Sequence, residues 1–382
     1  MFDHSMIRTY KRKLILTKEQ SSRISSWIGA CRVVYNLGME IKQASYKSTG
    51  KSVSKYDLLN QLPDLKKDFD WIADVPSQTL QASVERLDRS YQNFFRNFKK
   101  GGGYPKFASK KTFKSILFKS VSVNVNFVSI PKIGLVKMFK DSEIKGKPKT
   151  AQIILEPTGF FICIQCDHVP VKFVSESQAI GIDMGIAHFC IDSNGHFVAN
   201  PQHFKTHERR LRIANRSLAR KKKGSNSWQK QAKQLSRLHH RIACVRKDFL
   251  HKESTKVAKA NSVVFVEDLK VKNMSKSAKG TLQEPGKNVL AKSGLNRSIL
   301  DCGWGMFRTM LEYKTNVIKV NPKYTSQICN CCGNKDAQSR LSQSEFVCTN
   351  CGHRSHADVN AAKNILSQGL ARYRQREALA CA

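Results

Sequence analysis

Cysteine recurs as Cys329-x-x-Cys332-Gly333 and, fifteen residues further on, as Cys348-x-x-Cys351-Gly352. Two residues between ligands let both thiolates of a tight turn face one ion, and the following glycine tolerates the backbone conformation such a knuckle needs. The spacing predicts a structural Zn²⁺ held by Cys329, Cys332, Cys348 and Cys351, with no open ligand position for catalysis. Only Cys332 reproduces the frame of the second knuckle, so Cys331 is read as a spare thiol, and His353 and His356 stand as the substitute ligands. Cys163 and Cys166 share the same spacing inside the strand-like run FFICIQCD. There, positions three apart point to opposite faces, which makes them two separate, packed thiols.

The carboxylates are few, 29 against 66 Lys and Arg, so those at strand ends beside glycine carry information. In AIGIDMGI, alternation places Ile180, Ile182 and Met184 on one face and Gly181, Asp183 and Gly185 on the other. The two glycines would clear space for something bulky to approach Asp183. Glu267 ends the apolar run SVVFV, and Asp358 opens the helix-like run DVNAAKNILSQGL, where Asn360 and Ala361 keep the first turn slim. Taken singly, these are a solvated strand end, a strand terminator and a helix N-terminal acid. Brought together, three carboxylates from two strands and a helix would bind Mg²⁺, and two such ions suit phosphodiester hydrolysis. Asp192 belongs to a DSNG turn, and Asp268 points off the other side of its strand from Glu267, so both are left out of the site.

The elements that must position these groups follow from the hydrophobic pattern. Residues 6–16 read as a strand, Thr17 as the cap of a helix through Trp27, Val33, Val34, Leu37 and Met39, and 77–98 as an amphipathic helix with Leu80, Val84, Leu87, Tyr91 and Phe95 on one face. GGGYPKFASKKTFKS is a basic loop, and strands run from about 120 to 171 with the N-terminal strand as their natural partner. AIGIDMGIAHFCIDSNGHFVA reads as one hairpin turning at 192–195. Residues 205–250, with fifteen Lys and Arg against two acids, read as two helices split at 221–227, the second with Trp228, Leu235, Leu238, Ile242, Val245 and Phe249 on one face. SVVFVEDL has the look of a buried parallel strand opening onto a site. Residues 275–295 read as a loop that could act as a lid, followed by a helix over 304–314, the strand NVIKVN and a closing helix from Asp358.

The net charge of +37 on a chain that is 40% hydrophobic and holds 20 Phe requires a folded surface with a polyanion partner. Nucleic acid fits; a membrane surface is the competitor. The first twenty residues lack the apolar core and cleavage site of a signal peptide, and no run approaches a bilayer-spanning length.

Together, GIDMGIAHF, VFVEDLKVKNM, WGMFRTMLEYK and YTSQICNCCG…FVCTNCGHRSHADVNAAKNIL resemble the TnpB proteins of bacterial insertion sequences. The weaker N-terminal motif GYPKFASKK extends the resemblance over nearly the whole chain. It implies an α+β multidomain chain: a β-barrel-like (wedge) domain from 1–16 and 106–178, a helical recognition domain from 17–105, an RNase H-like (RuvC) mixed sheet from 179–320 and 356–382, and a zinc ribbon from 321–355. It implies an endonuclease guided by an RNA from its own element's end, which cuts target DNA beside a short adjacent motif. Asp183, Glu267 and Asp358 fall on the three RuvC acids, and the knuckle cysteines on the zinc ligands. His356 and Ala357 depart from the family, where many relatives carry Arg, and residues 1–5 look like an extension.

Guide RNA and target DNA are thus the expected partners, one protein per RNA, in a cytoplasmic protein associated with the nucleoid when bound to DNA. The candidate contacts are Lys106, Lys110 and Lys111 in the N-terminal loop, and Arg209, Arg210, Arg212, Arg216, Arg220, Lys221, Lys222, Lys223, Lys230, Lys233, Arg237 and Arg241 on the basic helices. Trp228 and Trp304 are candidates for stacking on bases. A binding-only repressor of the same fold would be expected to have lost an acid, and a DDE-like transposase would not need the ribbon just before the third one.

Overall fold

The computed structural model describes residues 6–139, 143–168 and 179–381. The expected extension at 1–5, the end of the β domain at 169–178 and residue 382 lie outside them. The chain divides into two compact units, Met1–Val169 and Pro170–Ala382.

In the first unit, strand β1 (Met6–Ile15) leads into helix α1 (Lys18–Thr49). The turn between them is fixed by a capping box: Thr17 Oγ1 accepts from the Gln20 N–H, and Gln20 Oε1 accepts from the Thr17 N–H. Short helices α2 (Lys55–Asn60), α3 (Leu62–Asp68) and α4 (Asp70–Ala73) precede α5 (Ser77–Asn97). Strands β2 (Ser115–Phe118), β3 (Ser122–Asn124), β4 (Phe127–Ile130), β5 (Gly134–Met138), β6 (Pro148–Glu156) and β7 (Gly159–His168) then join β1 in one sheet ordered β2-β6-β7-β1-β5-β4-β3. β1 pairs antiparallel with both β7 and β5. The short β2, which begins before the expected strand region, forms one edge and β3 the other.

Ile24, Trp27, Cys31, Val34 and Met39 of α1 and Leu80, Val84 and Leu87 of α5 share one core with Phe118, Ile130, Val136, Ile153, Ile162 and Ile164 of the sheet. The strands and helices that the sequence sets apart as two domains are therefore one hydrophobic unit. Cys166 lies in this core with Ile162 and Ile164, whereas Cys163 is half-buried on the other face of β7, as a period of two requires.

The second unit is built on a five-stranded sheet ordered β10-β9-β8-β11-β12, from β8 (Ile180–Asp183), β9 (His188–Asp192), β10 (Phe197–Ala199), β11 (Val263–Glu267) and β12 (Asn316–Val320). β8, β9 and β10 are antiparallel; β11 runs parallel to both β8 and β12. The stretch read as a single hairpin thus makes three strands, because Met184–Ala187 adds a second turn before the one at Asp192.

Helices α6 (His203–Ala219) and α7 (Asn226–Ala260) follow β10, and α8 (Val271–Met274), α9 (Val289–Cys302) and α10 (Trp304–Glu312) lie between β11 and β12. The expected loop over 275–295 ends early. No proline follows Pro285 before Ile299, and of the two glycines Gly286 precedes the helix and only Gly294 falls inside it, so α9 starts at Val289. Val245 is 40% exposed, because the buried stripe of α7 drifts toward Arg246 and Leu250. Trp304 is buried among Phe307, Leu311 and Leu250, which removes it as a base-stacking surface, and Trp228 is half-buried.

After β12 come strands β13 (Glu345–Val347) and β14 (Arg354–His356), an antiparallel pair, and then α11 (Ala357–Cys381). One face of the five-stranded sheet is covered by α7, α9 and α10 through Ile180, Ile182, Val264 and Val266; the other is covered by α11 through Phe265, Ile318, Val320 and Ile365. Gly181 makes the second packing possible. A Cβ there would lie 2.3 Å from Ala362 O and 2.6 Å from Leu366 N, so the space beside Asp183 is filled by α11 and does not stand open. Gly181→Ala is expected to destabilise this unit by about 2–3 kcal/mol, as overpacking against backbone does. Gly29→Ala on α1, with nothing within 4 Å of its Cβ, should be neutral or stabilising. Urea denaturation of both variants checks the contrast.

Candidate active site

The register places the acids. Val266 is paired with Ile182 across the parallel β8 and β11, so Asp183 and Glu267 are the next residues at the carboxyl ends of neighbouring strands. Both follow the face of Gly181 and Phe265, the face that α11 covers. Along α11, Asp358 precedes Ala362 by four residues, about 6 Å of helix. Asp183 lies two strand residues beyond Gly181, about 6.6 Å. Because Ala362 sits on Gly181, the start of α11 brings Asp358 to the same strand end.

Burial, then the charges of Glu267 and Asp358, push the Asp183 carboxyl up to about 7, with Arg340 pulling the other way. Glu267 is also raised by burial, against a hydrogen bond from Thr325. Asp183 therefore lies near enough to feel the charges of both other carboxylates. Asp268 turns away and pairs with Lys270 and Arg308. Asp192 is paired with Ile182, on the opposite face from Asp183, and accepts from the backbone of Asn194 and His196 in its turn.

Two further residues touch the acids that sequence reasoning did not single out. Thr325 Oγ1 donates to Glu267 Oε1 at 2.6 Å, and Arg340 Nη2 donates to Asp358 Oδ1 at 3.0 Å, a half-buried ion pair. No local signal marks either one, since each arrives through the cysteine-bearing insert.

That insert is built from two equivalent turns. Gly333 and Gly352, at φ 75° and 70°, donate their N–H groups to Cys329 O and Cys348 O. The four Sγ atoms of Cys329, Cys332, Cys348 and Cys351 lie within 4.8 Å of one another, the only such group among the described residues. Cys331, His353 and His356 stand outside it. Two edges measure 3.8 Å (Cys329–Cys351) and 3.6 Å (Cys332–Cys348), against the edge of about 3.8 Å of a tetrahedron with 2.3 Å metal–sulfur bonds. Backbone N–H groups of Cys351 and Asn350 hold the Cys348 thiol down to about 6, while Cys351, despite a backbone hydrogen bond from His353, is pushed up to about 12 by the neighbouring thiols. The four thiols can hold a structural metal. Phe346 is the only large apolar side chain in the buried cluster here, so the metal has little core to help it.

Two asparagines tie this insert to α11. Asn360 accepts from the Asn330 N–H at 2.9 Å and donates to Ile328 O at 2.7 Å; Asn364 donates to Thr325 O and Ile328 O. Asn360 does more than keep the first turn slim, because it locks the first knuckle two residues after Asp358.

The basic candidates lie mostly on the surface. Arg209, Arg210, Arg212, Arg216, Arg220, Lys222, Lys223, Lys230, Lys233, Arg237 and Arg241 are exposed along α6, α7 and the turn between them, with Lys221 half-buried. Lys106, Lys110 and Lys111 are exposed in the loop after α5. Arg246, in the same basic stretch, instead pairs with the half-buried Asp301, which also caps the Phe204 N–H. No helix among the described residues is long and apolar enough to cross a membrane.

Comparison with known proteins adds relatives of the same organisation. The family OrfB_IS605, described as "Probable transposase", matches residues 162–278; "Cas12f1-like, TNB domain" matches 304–365, and "Helix-turn-helix domain" matches 6–51. The last span is a strand and one 32-residue helix here. The chain is 36% identical over 378 residues, 96% of its length and 93% of the relative's, to "Putative RNA-guided DNA endonuclease InsQ" of Escherichia coli. It is 30% identical over 381 residues, with 95% and 90% coverage, to "Putative RNA-guided DNA endonuclease" of Streptomyces pristinaespiralis. Among solved structures, "Cryo-EM structure of the Cas12f1-sgRNA-target DNA complex" aligns with TM-score 0.53 and 13% identity, covering 92% of this chain and 83% of that one, a likeness of fold. On full-length identity to these relatives, the chain belongs to the TnpB family.

Proposed function

We propose that this chain is an RNA-guided DNA endonuclease that hydrolyses phosphodiester bonds at Asp183, Glu267 and Asp358. The observation that carries the reading is geometric: Asp183 and Glu267 end paired parallel strands on the face that α11 covers, and Asp358 stands at the start of α11, in a chain of net charge +37. Carboxylates so placed repel a nucleic acid backbone unless cations intervene. The three would hold Mg²⁺ ions, which, when bound, supply activation of water and stabilisation of the leaving oxygen. Thr325 fixes the Glu267 carboxylate. Arg340 sets a guanidinium beside Asp358, where it can offset phosphate charge, and the exposed Lys and Arg of α6 and α7 would follow the backbone of a guide–target duplex by its shape. The strand order, three antiparallel followed by two parallel, supports an RNase H-like (RuvC) domain, and the first unit supports a wedge and recognition role. The thiolate tetrad would take Zn²⁺. One protein per RNA, acting in the cytoplasm, fits this reading, and retention of all three acids favours cutting over binding alone.

The test is to express the chain with its flanking element DNA, sequence any discrete RNA that copurifies, and assay Mg²⁺-dependent cleavage of matched and mismatched targets. Absence of a discrete RNA would remove the guided mechanism; absence of cleavage of a matched target would remove the nuclease.

A pH dependence follows from Asp183. A carboxyl whose pKa is about 7 folded, against 3.8 ordinarily, adds stability only while protonated. That contribution is complete below about pH 4 and is lost as pH rises through about 7. In buffer without divalent ions, the melting temperature of the wild type should therefore fall relative to Asp183→Asn between about pH 5 and pH 8, by several degrees. Added Mg²⁺ should close the gap. Glu267, raised in the same direction by burial, is present in both proteins and drops out of the comparison. Because both proteins carry the same histidines, the difference between them isolates the site.

A further inference from the structure

We propose that the aromatic cluster at the C-terminal end of α5 is a stacking platform for the unpaired bases of a single nucleic-acid strand, a site that deepens the nucleic-acid reading above and rests on it. Phe94 is the hub: its ring centroid lies 5.2 Å from Phe95, 5.4 Å from Phe98 and 5.2 Å from Tyr104. Tyr91 closes the set at 5.7 Å from Tyr104, their hydroxyls 3.2 Å apart. Phe94 is half-buried beneath the others. The outer rings are open to solvent: Phe95 is 69% exposed, Phe98 64%, Tyr104 49%, and Phe107, next along the loop, 54%. A cluster of large rings left in water marks a binding surface.

The platform is held in shape before anything binds. After α5 the chain folds back at Gly102, whose N–H donates to Asn97 O at 2.8 Å and whose missing Cβ would sit 2.9 Å from that oxygen. This return brings Tyr104 onto Phe94. Further on, Asn36 of α1 holds Ala108 by both backbone groups, accepting its N–H at 2.7 Å and donating to its carbonyl at 3.1 Å. Little ordering remains to oppose a ligand.

The surrounding charge selects the occupant. The sequence contains no Asp or Glu between Asp88 and Asp141, and Arg96, Lys99, Lys106, Lys110 and Lys111, in the same stretch of chain as the rings, are exposed. Protein–protein interfaces enrich aromatics but are depleted in Lys. Rings and exposed cations together match a strand whose phosphates meet the Lys and Arg and whose bases meet the rings. A duplex offers its backbone but keeps its base faces stacked internally. Guide RNA and displaced DNA both present unpaired bases, so the experiment carries an arm for each.

Full-length protein, stripped of bound nucleic acid at high salt, is titrated with 12-nucleotide single-stranded RNA, single-stranded DNA and a 12-base-pair duplex, with 2-aminopurine in the single strands. Phe95→Ala with Phe98→Ala should weaken single-strand binding about tenfold or more and abolish the fluorescence quench, leaving duplex affinity within about twofold. Phe98→Leu, which keeps an apolar side chain, should lose most of the quench; Phe98→Tyr should retain it. Whichever single-strand arm shows the larger loss identifies the strand. Unchanged single-strand affinity, an equal loss on the duplex, or a wild-type dimer that the double variant splits would each overturn the platform. Because the oligonucleotides are defined, these outcomes are independent of whether a guide RNA copurifies.

Discussion

Asp183→Asn is expected to reduce cleavage of a guide-matched DNA on the order of a thousandfold, the kinetic equivalent of about 4 kcal/mol, while the amount of copurifying RNA stays the same. Asparagine keeps the shape of the side chain and removes only its charge. Among the described acids, Asp183 is the one most pressed by its surroundings: burial comes first, and the charges of Glu267 and Asp358 add to it. Relieving that pressure should also raise the melting temperature of the protein in buffer without divalent ions, so activity and stability move in opposite directions, as expected where a site is held against its own repulsion. Asp268→Asn is the matched control. Asp268 follows Glu267 directly but pairs with Lys270 and Arg308 away from the site, and its loss should change the rate by no more than about threefold, the size of a surface ion pair. Wild-type cleavage by Asp183→Asn, or an equal loss from Asp268→Asn, would remove the assignment.

Cys348→Ser, or stripping the metal from the wild type with a chelator, is expected to lower cleavage by on the order of a hundredfold without altering any of the three acids. Structural zinc supplies about 10–16 kcal/mol of folding free energy in small finger peptides, and here Phe346 is the only large apolar residue in the buried cluster of the insert. Without the ion, the knuckle that places Ile328 and Asn330 loosens. Asn360 and Asn364 then lose their partners, Thr325 its seat against Glu267, and Arg340 its place on Asp358. The ribbon therefore acts on the acids as a positioning element. Native mass spectrometry should report one metal ion in the wild type and none in the variant, and limited proteolysis should cut within 321–355. Cys331→Ser, outside the thiol group, should leave both mass and rate unchanged. A metal-free protein with the wild-type rate would separate the ribbon from the catalytic site.

Much of this molecule is legible in local pattern. Thr17 announces the start of α1, the alternation through Ile180, Ile182 and Asp183 describes β8, and the apolar run ended by Glu267 emerges as a strand buried throughout. Each is a short-range rule of capping or periodicity, and each survives folding because nothing distant opposes it. Errors arose where a long-range partner overrides the local signal. Val245 belongs to an apolar pattern, yet the stripe of α7 turns toward Arg246 because Asp301 waits there. Trp304 has the chemistry to stack a base but packs into the core, while the exposed rings lie at Phe95 and Phe98, where the sequence shows only an amphipathic helix.

The cysteine knuckles were legible in the sequence alone, since a Cys-x-x-Cys-Gly frame repeated once leaves few other uses, and the sequence also marked Asp183, Glu267 and Asp358 as the acids at element ends. Tertiary structure decided what surrounds them. Gly181 was expected to open space beside Asp183. It admits α11 instead, and that close approach, with Ala362 against β8, brings a residue 175 positions later in the chain to Asp183. Thr325 and Arg340 reach the acids the same way, through a folded insert whose place is set by two asparagines on α11. Spacing along a chain encodes which side chains share an element, but which elements meet depends on packing between surfaces that only the folded chain brings together.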